Sequence, residues 1–502
     1  MENKMLVKLN HTSYEYDVHA IVKAFFPERD VKVLPFESRE GASMDDDSNE
    51  GPDVEIRVEE NGAWIRFGGR EYEWQTKEKG WRGPFREDAG NLKNGFKAFL
   101  YRTLQEETGR SLPWGNLTGI RPTKIAYGML DQGKSREEIL DFLEKRHFVS
   151  RKKAALSIDI ALRERQILSE VQCESRKGSA ENGGYSLYVG IPFCPTTCLY
   201  CSFTSYPIVG FRKKVESYID CLLKEMETVS GLMGGKRLDC VYIGGGTPTT
   251  LEPEQLDRVL SGLKRFFDFS QVKEFTVEAG RADSITEEKL EVLARHGVGR
   301  ISINPQTMKQ ATLDLIGRKA AVKQVEEAYA LARHMGFDNI NMDLILGLPG
   351  ELQEDVQKTV DRVVLLAPDS LTVHSLAIKR ASRLNQWIQE NGVSMIRNTD
   401  ETMDIAARGA KRLGMEPYYL YRQKNISGNF ENVGYAKPGK FGLYNILIME
   451  EKQTIVACGA GSISKRVFPD GRIERCENVR DVASFMERID EMIERKRKLF
   501  ED

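Results

Sequence analysis

The sequence predicts a protein of the α/β class whose centre is a partial (β/α)6 barrel of the TIM type. Two observations predict it. Between residues 185 and 398, six short apolar segments alternate with amphipathic helical segments. Glycine-rich or polar residues follow several of these segments, and parallel barrels carry their chemistry on the loops that follow their strands. The predicted domains are an N-terminal α+β domain at 1–173, a linker at 174–184, the barrel at 185–398 and a C-terminal α/β covering region at 399–502.

Composition excludes several classes of protein. The 502 residues contain 73 Lys and Arg against 75 Asp and Glu, so no nucleic-acid partner is expected. No apolar run approaches the roughly 20 residues of a membrane span, and the N-terminus lacks the apolar core of a signal peptide. Eight cysteines are few for this length, and three of them lie in one loop. This usage favours a reducing, cytoplasmic location and a metal site over a disulfide framework.

The N-terminal region is predicted to form a separate unit. It contains no group of candidate catalytic residues. Its predicted strands are Met5–Leu9, Val31–Leu34, Val54–Glu59, Ala63–Phe67 and Glu71–Gln75, with a polar loop at Gly41–Pro52. Its predicted helices are Tyr16–Phe26, Leu92–Thr108, Pro122–Leu130, Arg136–Lys145 and Lys152–Val171. Arg121 and Lys124 flank Pro122, which leaves two interpretations: an anion site, or the ordinary helix start that Pro at a first turn favours.

The barrel region predicts six strand–helix units with right-handed crossovers. The strands are Ser186–Ile191, Cys240–Gly244, Glu274–Glu278, Arg300–Asn304, Asn339–Leu346 and Asp369–Ser375. The helices between them include Val215–Met226, Glu254–Phe266, Glu287–Arg295, Val322–His334 and Gln353–Leu365.

The C-terminal region predicts a mixture of helix and strand. A helix is predicted at Thr402–Leu413 and a strand at Tyr418–Gln423. Lys440–Glu450 and Thr454–Ala457 predict a β-hairpin. The segment Val482–Lys498 is a charged amphipathic helix, which is typical of a covering element.

A cysteine triplet directly follows the first barrel strand. Cys194, Cys198 and Cys201 form a C-x3-C-x2-C pattern within YVGIPFCPTTCLYCSFTSY. Three thiolates on one loop can hold three corners of an iron–sulfur cube and leave the fourth iron open. Zinc is the alternative, but it would want a fourth Cys or His nearby, and the loop offers none. Three clustered thiols cannot all pair in disulfides.

Other polar and glycine residues fall at the same end of the predicted strands. Gly244–Thr249, GGGTPT, follows the second strand, and consecutive glycines let backbone groups approach a ligand closely. Glu278 ends the third strand, Gln306 follows the fourth, and the fifth carries Asp343. Arg318 lies further on, where it can hold a carboxylate through two parallel bonds. Each alone is more typical of a solvated rim, but together they indicate a ligand site.

These motifs together resemble the radical S-adenosylmethionine family. The matching strings are CPTTCLYC, GGGTP, TVEAG, INPQTM, LIGRK and MDLILGLPG. Within that family they are similar to the oxygen-independent coproporphyrinogen III oxidases and their haem-chaperone relatives. The resemblance covers about residues 185–464. The extra N-terminal region resembles the oxidase-like form found in Gram-positive bacteria.

The resemblance implies the cofactors and the residues that hold them. A [4Fe–4S] cluster would be bound by Cys194, Cys198 and Cys201, and S-adenosylmethionine would bind at its open iron. The positions that match the family's S-adenosylmethionine contacts are Tyr188, Tyr200, Gly245, Gly246, Thr247, Glu278, Gln306, Arg318, Asp343, Ala377 and Ile463. No further catalytic residue is implied.

The resemblance also implies a reaction and its partners. The expected activity is oxidative decarboxylation of two propionates of coproporphyrinogen III to vinyl groups, giving protoporphyrinogen IX. A flavodoxin or ferredoxin is expected as electron donor, and the sequence is silent on oligomeric state. Candidate cations for the substrate's propionates are Lys379, Arg380 and Lys437. The alternatives are a haem-binding or haem-transfer chaperone and a radical enzyme with another substrate.

The chain departs from the best-known oxidases at two positions. Phe203 stands where they have a further cysteine, and Gly190 stands where they have a histidine. Phe203 is the pattern of the haem-chaperone branch. That branch has a His-Asn pair where this chain has Tyr444 and Asn445, so the haem-binding segment is also incomplete.

Overall fold

The computed structural model describes residues 4–36, 52–75, 92–175, 184–379, 382–424 and 426–501. It divides the chain into two compact units, one comprising Met1–Leu162 with Tyr421–Glu431 and the other Arg163–Leu420 with Asn432–Asp502. The predicted polar loop at 41–52 and the predicted linker at 174–184 lie almost entirely outside the described residues.

The first unit contains a five-stranded sheet and a set of helices. The strands are β1 (Lys4–Leu9), β2 (Asp30–Pro35), β3 (Val54–Glu59), β4 (Gly62–Phe67) and β5 (Arg70–Gln75). The helices are α1 (Glu15–Phe25), α2 (Leu92–Thr108), α3 (Thr123–Asp131), α4 (Arg136–His147) and α5 (Arg151–Ser175), the last running on into the second unit. The sheet order is β2-β1-β3-β4-β5, parallel at β2-β1-β3 and antiparallel from β3 to β5.

Alternation along the strands of this sheet places its core on one face. Val7, Ile56 and Ile65 have no exposed surface, whereas the residues between them reach solvent. Phe96 and Tyr101 of α2 are fully buried in the same core. The period-two pattern that predicted the strands is therefore the pattern of burial.

The segment Tyr421–Glu431 joins the first unit through contacts that include a buried carboxylate. Glu431 accepts the indole N–H of Trp114 at 2.7 Å and the ammonium of Lys153 at 2.6 Å. A buried charge needs such partners to offset its lost hydration. This non-local contact has no signal in the local sequence.

The second unit is built on one eleven-stranded sheet. The predicted barrel strands are β6 (Tyr185–Ile191), β9 (Leu238–Gly245), β10 (Glu274–Glu278), β11 (Arg300–Ser302), β12 (Ile340–Leu346) and β13 (Ser370–Ser375). The remaining strands of this unit are β7 (Phe193–Cys194), β8 (Tyr206–Pro207), β14 (Glu416–Tyr421), β15 (Asn432–Ala436), β16 (Thr454–Cys458), β17 (Ile463–Val467) and β18 (Ile473–Glu477).

The six predicted barrel strands are all parallel neighbours, as expected. The sheet order is β14-β15-β13-β12-β11-β10-β9-β6-β16-β17-β18, with β7 and β8 as a separate pair. The C-terminal region thus extends the sheet at both edges: β15 adds antiparallel to β13, and β16 adds parallel to β6.

Helices follow the strands of the second unit. They are α6 (Val215–Leu232), α7 (Pro253–Phe266), α8 (Glu287–Arg295), α9 (Gln310–Leu315), α10 (Val322–His334), α11 (Gln353–Leu366), α12 (Arg383–Asn391), α13 (Asp400–Arg412), α14 (Leu443–Glu450), α15 (Val482–Glu487) and α16 (Ile489–Phe500). No helix in the described part of the chain combines the length and apolar character that crossing a bilayer requires.

Two predictions for the C-terminal region are wrong. Lys440–Glu450 does not form a hairpin with Thr454–Ala457, because Leu443–Glu450 is the helix α14. Its buried residues are spaced for a helix, and the Glu274 carboxylate of β10 accepts the first N–H of that helix. The predicted helix Val482–Lys498 is divided into α15 and α16 at Arg488.

Candidate functional site

Two loops at the carboxyl ends of β6 and β9 are joined through their backbones. The N–H of Gly246 donates to the carbonyl of Ile191, and the N–H of Thr247 donates to that of Phe193, both at 2.7 Å. Gly245 has a φ of 109°, and a Cβ at Gly246 would lie 2.5 Å from the carbonyl oxygen of Phe193. The glycines are therefore required for the close approach that fixes the cysteine loop against the GGGTP loop.

The three predicted cluster cysteines are free thiols with different neighbours. Cys194 Sγ lies 3.4 Å from Thr247 Oγ1, and Cys201 Sγ lies 3.2 Å from Ser205 Oγ. Cys198 Sγ faces the guanidinium of Arg281, whose Nη1 is 3.8 Å away. The Cys201 N–H donates to the Cys198 carbonyl at 3.2 Å, which closes the loop between these two thiols.

The thiols influence one another electrostatically. Burial, followed by the charges of Cys201 and Cys198, raises the pKa of Cys194 to about 11, against the hydrogen bond from Thr247 and the charge of Arg281. Deprotonation of Cys194 would therefore be favoured by a bound cation. The described residues contain no group of three or more His, Cys, Asp or Glu arranged for one metal ion. In a [4Fe–4S] cube each thiolate binds a different iron, so this arrangement fits a cluster better than a zinc ion.

Glu278, at the end of β10, accepts a hydrogen bond from a tyrosine of the neighbouring strand. The Tyr242 hydroxyl donates to Glu278 Oε1 at 2.5 Å. Burial raises the pKa of the Glu278 carboxyl to about 7, with a further increase from Asp343, and the Tyr242 and Gly245 hydrogen bonds oppose the shift. This carboxyl can therefore accept or donate a hydrogen bond near neutral pH.

Asp343, inside β12, is a second carboxyl at this site, and its negative charge raises the pKa of Glu278. Asn341 Nδ2 donates to Asp343 Oδ1 at 2.7 Å, and His374 Nε2 lies 3.7 Å from Asp343 Oδ2. Burial alone would raise the pKa of Asp343, but His374 and Asn341 outweigh it, so the pKa is lowered. Two acidic side chains on one rim thus have opposite pKa shifts, which is typical of a functional site.

Gln306 and Arg318 bring unpartnered polar atoms to the same rim. Gln306 has a φ of 54°, which is rare for a residue other than glycine, and its N–H donates to the Asp343 carbonyl at 3.1 Å. Its buried Oε1 accepts no hydrogen bond, and the buried Nε of Arg318 donates none. Buried polar atoms normally have partners, so these two fit a polar ligand such as the carboxylate and amine of S-adenosylmethionine.

A cavity of about 150 Å³ opens between the cysteine loop and the glycine-rich segment after β16. Phe203 stands at its rim with 75% of its surface exposed. The lining residues are Tyr188, Gly190, Pro192, Ser202, Phe203, Thr204, Gly245, Ala460, Gly461, Ser462 and Arg480. The cavity therefore combines backbone surface, aromatic rings and one guanidinium.

A buried polar network holds the far wall of this cavity. Glu225 of α6 accepts the N–H of Gly459 at 2.7 Å and pairs with Lys496 of α16. Asn478 Nδ2 donates to Glu225 Oε1 at 2.7 Å and to the Gly459 carbonyl at 2.9 Å. We name Glu225, Asn478 and Lys496 the α16 anchor.

The other predicted site residues lie at varying distances from this centre. Tyr200 pairs with Arg318 and Cys198 beside the cysteine loop. Ala377 follows β13 and is half-buried, and Ile463 begins β17, 40% exposed, next to the cavity residue Ser462.

Of the candidate substrate cations, Lys437 does not lie at the rim. Lys437 lies 3.4 Å from Asp369, which precedes β13 and therefore belongs to the opposite edge of the sheet. Lys379 follows β13 and is half-buried, whereas Arg380 lies outside the described residues.

Several side chains of the candidate site have no place in the sequence prediction. Tyr242, Arg281, Arg480 and the α16 anchor meet the site through contacts remote in sequence. A signal existed for Tyr242, which lies two residues before the GGG loop and so shares a strand face with Gly244. Arg281 follows Glu278 at the carboxyl end of the same strand, a position that parallel barrels use for function.

Comparisons with known proteins agree with this geometry. Residues 188–363 match the family model of the Radical SAM superfamily. The chain is 41% identical over 414 residues to the oxygen-independent coproporphyrinogen-III oxidase-like protein HemZ of Bacillus subtilis (strain 168), covering 82% of this chain and 81% of that protein. It is 36% identical over 278 residues to the heme chaperone HemW of the same strain, covering 55% of this chain and 70% of that protein.

A comparison with solved structures supports the fold. The chain superposes on coproporphyrinogen III oxidase (HemN) from Escherichia coli, described as a radical SAM enzyme, with a TM-score of 0.51 and 21% identity. The match covers 65% of this chain and 73% of that one. The partial barrel predicted from the sequence is thereby confirmed.

Proposed function

The chain belongs to the radical S-adenosylmethionine superfamily as an oxygen-independent coproporphyrinogen III oxidase-like protein, and from this premise we propose that it oxidatively decarboxylates coproporphyrinogen III. Proteins of this superfamily use a [4Fe–4S] cluster and S-adenosylmethionine. The product would be protoporphyrinogen IX, with two propionates converted to vinyl groups.

The cofactors would be held by the residues on the rim of the parallel sheet. Cys194, Cys198 and Cys201 would bind the cluster. Gln306 and Arg318 supply buried polar atoms for the amino-acid part of S-adenosylmethionine, and Glu278 and Asp343 supply acceptors for its hydroxyl or amino groups. When bound, the reduced cluster and S-adenosylmethionine supply one-electron cleavage and hydrogen abstraction.

The chain's own residues would position the substrate and exclude water. The cavity beside the cysteine loop places Tyr188 and Gly245 next to Phe203 and Arg480. The Phe203 ring offers an apolar face to a pyrrole ring, and the Arg480 guanidinium can pair with a propionate. A reduced flavodoxin or ferredoxin is proposed as electron donor.

The observation that carries the proposal is the chemistry of the cavity lining. Among the described residues that line it there is no histidine, cysteine or methionine, which are common haem-iron ligands. Tyr188 is a phenol, but burial raises the pKa of its hydroxyl and so disfavours the phenolate that iron would bind. The lining therefore suits a metal-free tetrapyrrole with carboxylates better than haem.

A haem carrier is the second candidate, and Phe203 favours it. This residue occupies the position where the best-known oxidases have a further cysteine, and the chain is 36% identical to a heme chaperone over 278 residues. The large exposed ring could equally contact the face of a bound haem.

The test compares turnover with binding in one anaerobic experiment. The reconstituted, reduced protein is incubated with S-adenosylmethionine and coproporphyrinogen III, and a parallel sample receives haem. We expect vinyl products together with 5′-deoxyadenosine, and weak haem binding. Stoichiometric, tight haem binding with no vinyl product would contradict the oxidase and establish the carrier.

A further inference from the structure

Arg281 is a buried cation beside the cysteine loop. It follows β10 by three residues, and only 4% of its surface is exposed. Its Nη1 donates to the Thr196 carbonyl at 3.1 Å and to the Thr196 hydroxyl at 2.9 Å. The same nitrogen lies 3.8 Å from Cys198 Sγ, within the range of an N–H···S hydrogen bond.

Asp283 fixes the guanidinium in this direction. The Arg281 Nε donates to Asp283 Oδ1 at 2.9 Å, and Nη2 donates to Oδ2 at 2.6 Å. This two-point contact leaves Nη1 to face the cysteine loop. Burial lowers the pKa of Arg281, but Asp283 and Cys198 outweigh it, so the guanidinium remains charged.

Direct contacts with guanidinium groups are concentrated at one of the three cysteines. Arg318 also contacts Cys198, so two buried guanidinium groups flank this thiol. The described hydrogen-bond partners of the Cys194 and Cys201 thiols are the neutral hydroxyls of Thr247 and Ser205. If Arg281 only held the Thr196 backbone in place, it would not need to contact the Cys198 thiol as well.

We propose that Arg281 is a positioning residue that raises the reduction potential of the iron–sulfur cluster through its contact with Cys198. Reduction adds one electron to the cluster, and a nearby positive charge or N–H···S bond stabilises the more negative state. Asp283 moderates the effect by neutralising part of that charge. The inference rests on the proposed cluster ligands, but it does not depend on which substrate is used.

The test is the midpoint potential of the reconstituted holoprotein, measured by an EPR-monitored redox titration without substrate. Arg281→Met should shift the midpoint to a more negative value while the iron and sulfide contents remain those of the unmodified protein. Asp283→Asn should shift it in the opposite direction, because the guanidinium then loses its counter-charge. Arg295→Met, at an exposed ion pair with Asp257, is the matched control and should leave the midpoint unchanged.

Opposite shifts in the two variants are expected only from a charge effect. A fully loaded Arg281→Met protein with the unmodified midpoint would overturn the proposal. Should Arg281→Met fail to retain iron, Asp283→Asn decides: an unchanged or more negative midpoint in that variant overturns it. Failure to convert coproporphyrinogen III would count against the oxidase alone, since the titration contains no porphyrinogen.

Discussion

Cys198 differs from the other two cysteines of its loop in being flanked by cations. Arg281 and Arg318 both contact its sulfur, and the Cys201 N–H donates to its carbonyl. Removing this thiol should therefore remove a cluster ligand and one contact of each guanidinium group, although Arg281 keeps its ion pair with Asp283.

Cys198→Ala should abolish cluster binding. We expect the brown absorbance and the cleavage of S-adenosylmethionine to fall to background, because two protein thiolates do not hold the cube. Absorption spectra and iron analysis after reconstitution measure this. Cys221→Ala, at a half-buried thiol of α6 outside the loop, is the control and should keep a full cluster. Retention of iron by both variants would refute the ligand assignment.

The raised pKa of the Glu278 carboxyl predicts that the free energy of unfolding depends on pH. Its carboxyl has a pKa of about 7 in the folded chain against about 4.5 when unfolded. Between these values the folded state keeps a proton that the unfolded state has lost, so the free energy of unfolding falls as pH rises. Over this window the loss should be on the order of 1–3 kcal/mol, since one pKa unit corresponds to about 1.4 kcal/mol.

Glu278→Gln should remove this part of the pH dependence. Urea unfolding of the apoprotein at pH 5 and pH 8 measures it, and the variant should lose less stability across the interval than the unmodified chain. Glu227→Gln, on an exposed position of α6, should behave like the unmodified chain. Equal pH dependence in all three proteins would show that the Glu278 carboxyl titrates normally.

Phe203 is predicted to contact the substrate. Its replacement by Ala should raise KM for coproporphyrinogen III about fivefold, since an aromatic contact contributes about 1 kcal/mol. Steady-state kinetics measure the change, and the affinity for S-adenosylmethionine should stay constant. Val209→Ala is the control, because Val209 is 73% exposed in the same part of the chain and does not line the cavity. An unchanged KM would place the substrate elsewhere.

The sequence identified residues that carry a spacing and overlooked those that depend on tertiary contact. Three cysteines separated by three and two residues must share a loop, so their grouping is local information. Arg281 and Tyr242 reach the same site only because neighbouring strands place them there. A buried charge that depends on a remote partner leaves no periodic signal in one sequence.

At the scale of elements, the helix α16 supports a loop that lines the cavity. The α16 anchor ties Gly459 to a buried Glu225–Lys496 pair. Gly461, with a φ of 71°, leaves no room for a side chain, since a Cβ there would lie 2.3 Å from Thr204 Oγ1. The C-terminal helix is therefore part of the site's framework, in addition to covering the sheet.

Breaking the α16 anchor should lower the free energy of unfolding far more than breaking an exposed ion pair between the same two helices. Lys496→Met should destabilise the protein by about 3–5 kcal/mol, because Glu225 stays buried without its cation. Lys224→Met removes the exposed pair with Asp490 and should cost less than about 1 kcal/mol. Urea unfolding compares them. Similar losses in both variants would contradict the energetic difference between the buried and the exposed pair.

Helix α14 shows why one element was predicted wrongly. Its sequence, LYNILIME, is apolar and contains two isoleucines, features that also favour a strand. The Glu274 carboxylate of a distant strand caps its first turn, and Glu451 ends it with a φ of 50°. Tertiary capping overrode local preference, and this information is absent from the segment itself.

For the whole molecule, the parallel sheet explains both what was predictable and what was not. Six strand–helix repeats predict parallel strands joined by right-handed crossovers. Because the strands are parallel, all their carboxyl ends lie at one edge of the sheet. The additions at either edge, β15 against β13 and β16 against β6, come from residues after 430 with no such repeat. Their pairing depends on the register of the finished sheet.

The central claim is that this rim would hold a propionate side chain next to S-adenosylmethionine, whose cleavage would remove a hydrogen from the propionate β-carbon. The most direct measurement uses coproporphyrinogen III deuterated at the propionate β-carbons, incubated anaerobically with the reduced holoprotein and S-adenosylmethionine. Mass spectrometry should find deuterium in 5′-deoxyadenosine, in proportion to the vinyl groups formed. Formation of 5′-deoxyadenosine without deuterium and without vinyl product would contradict the claim.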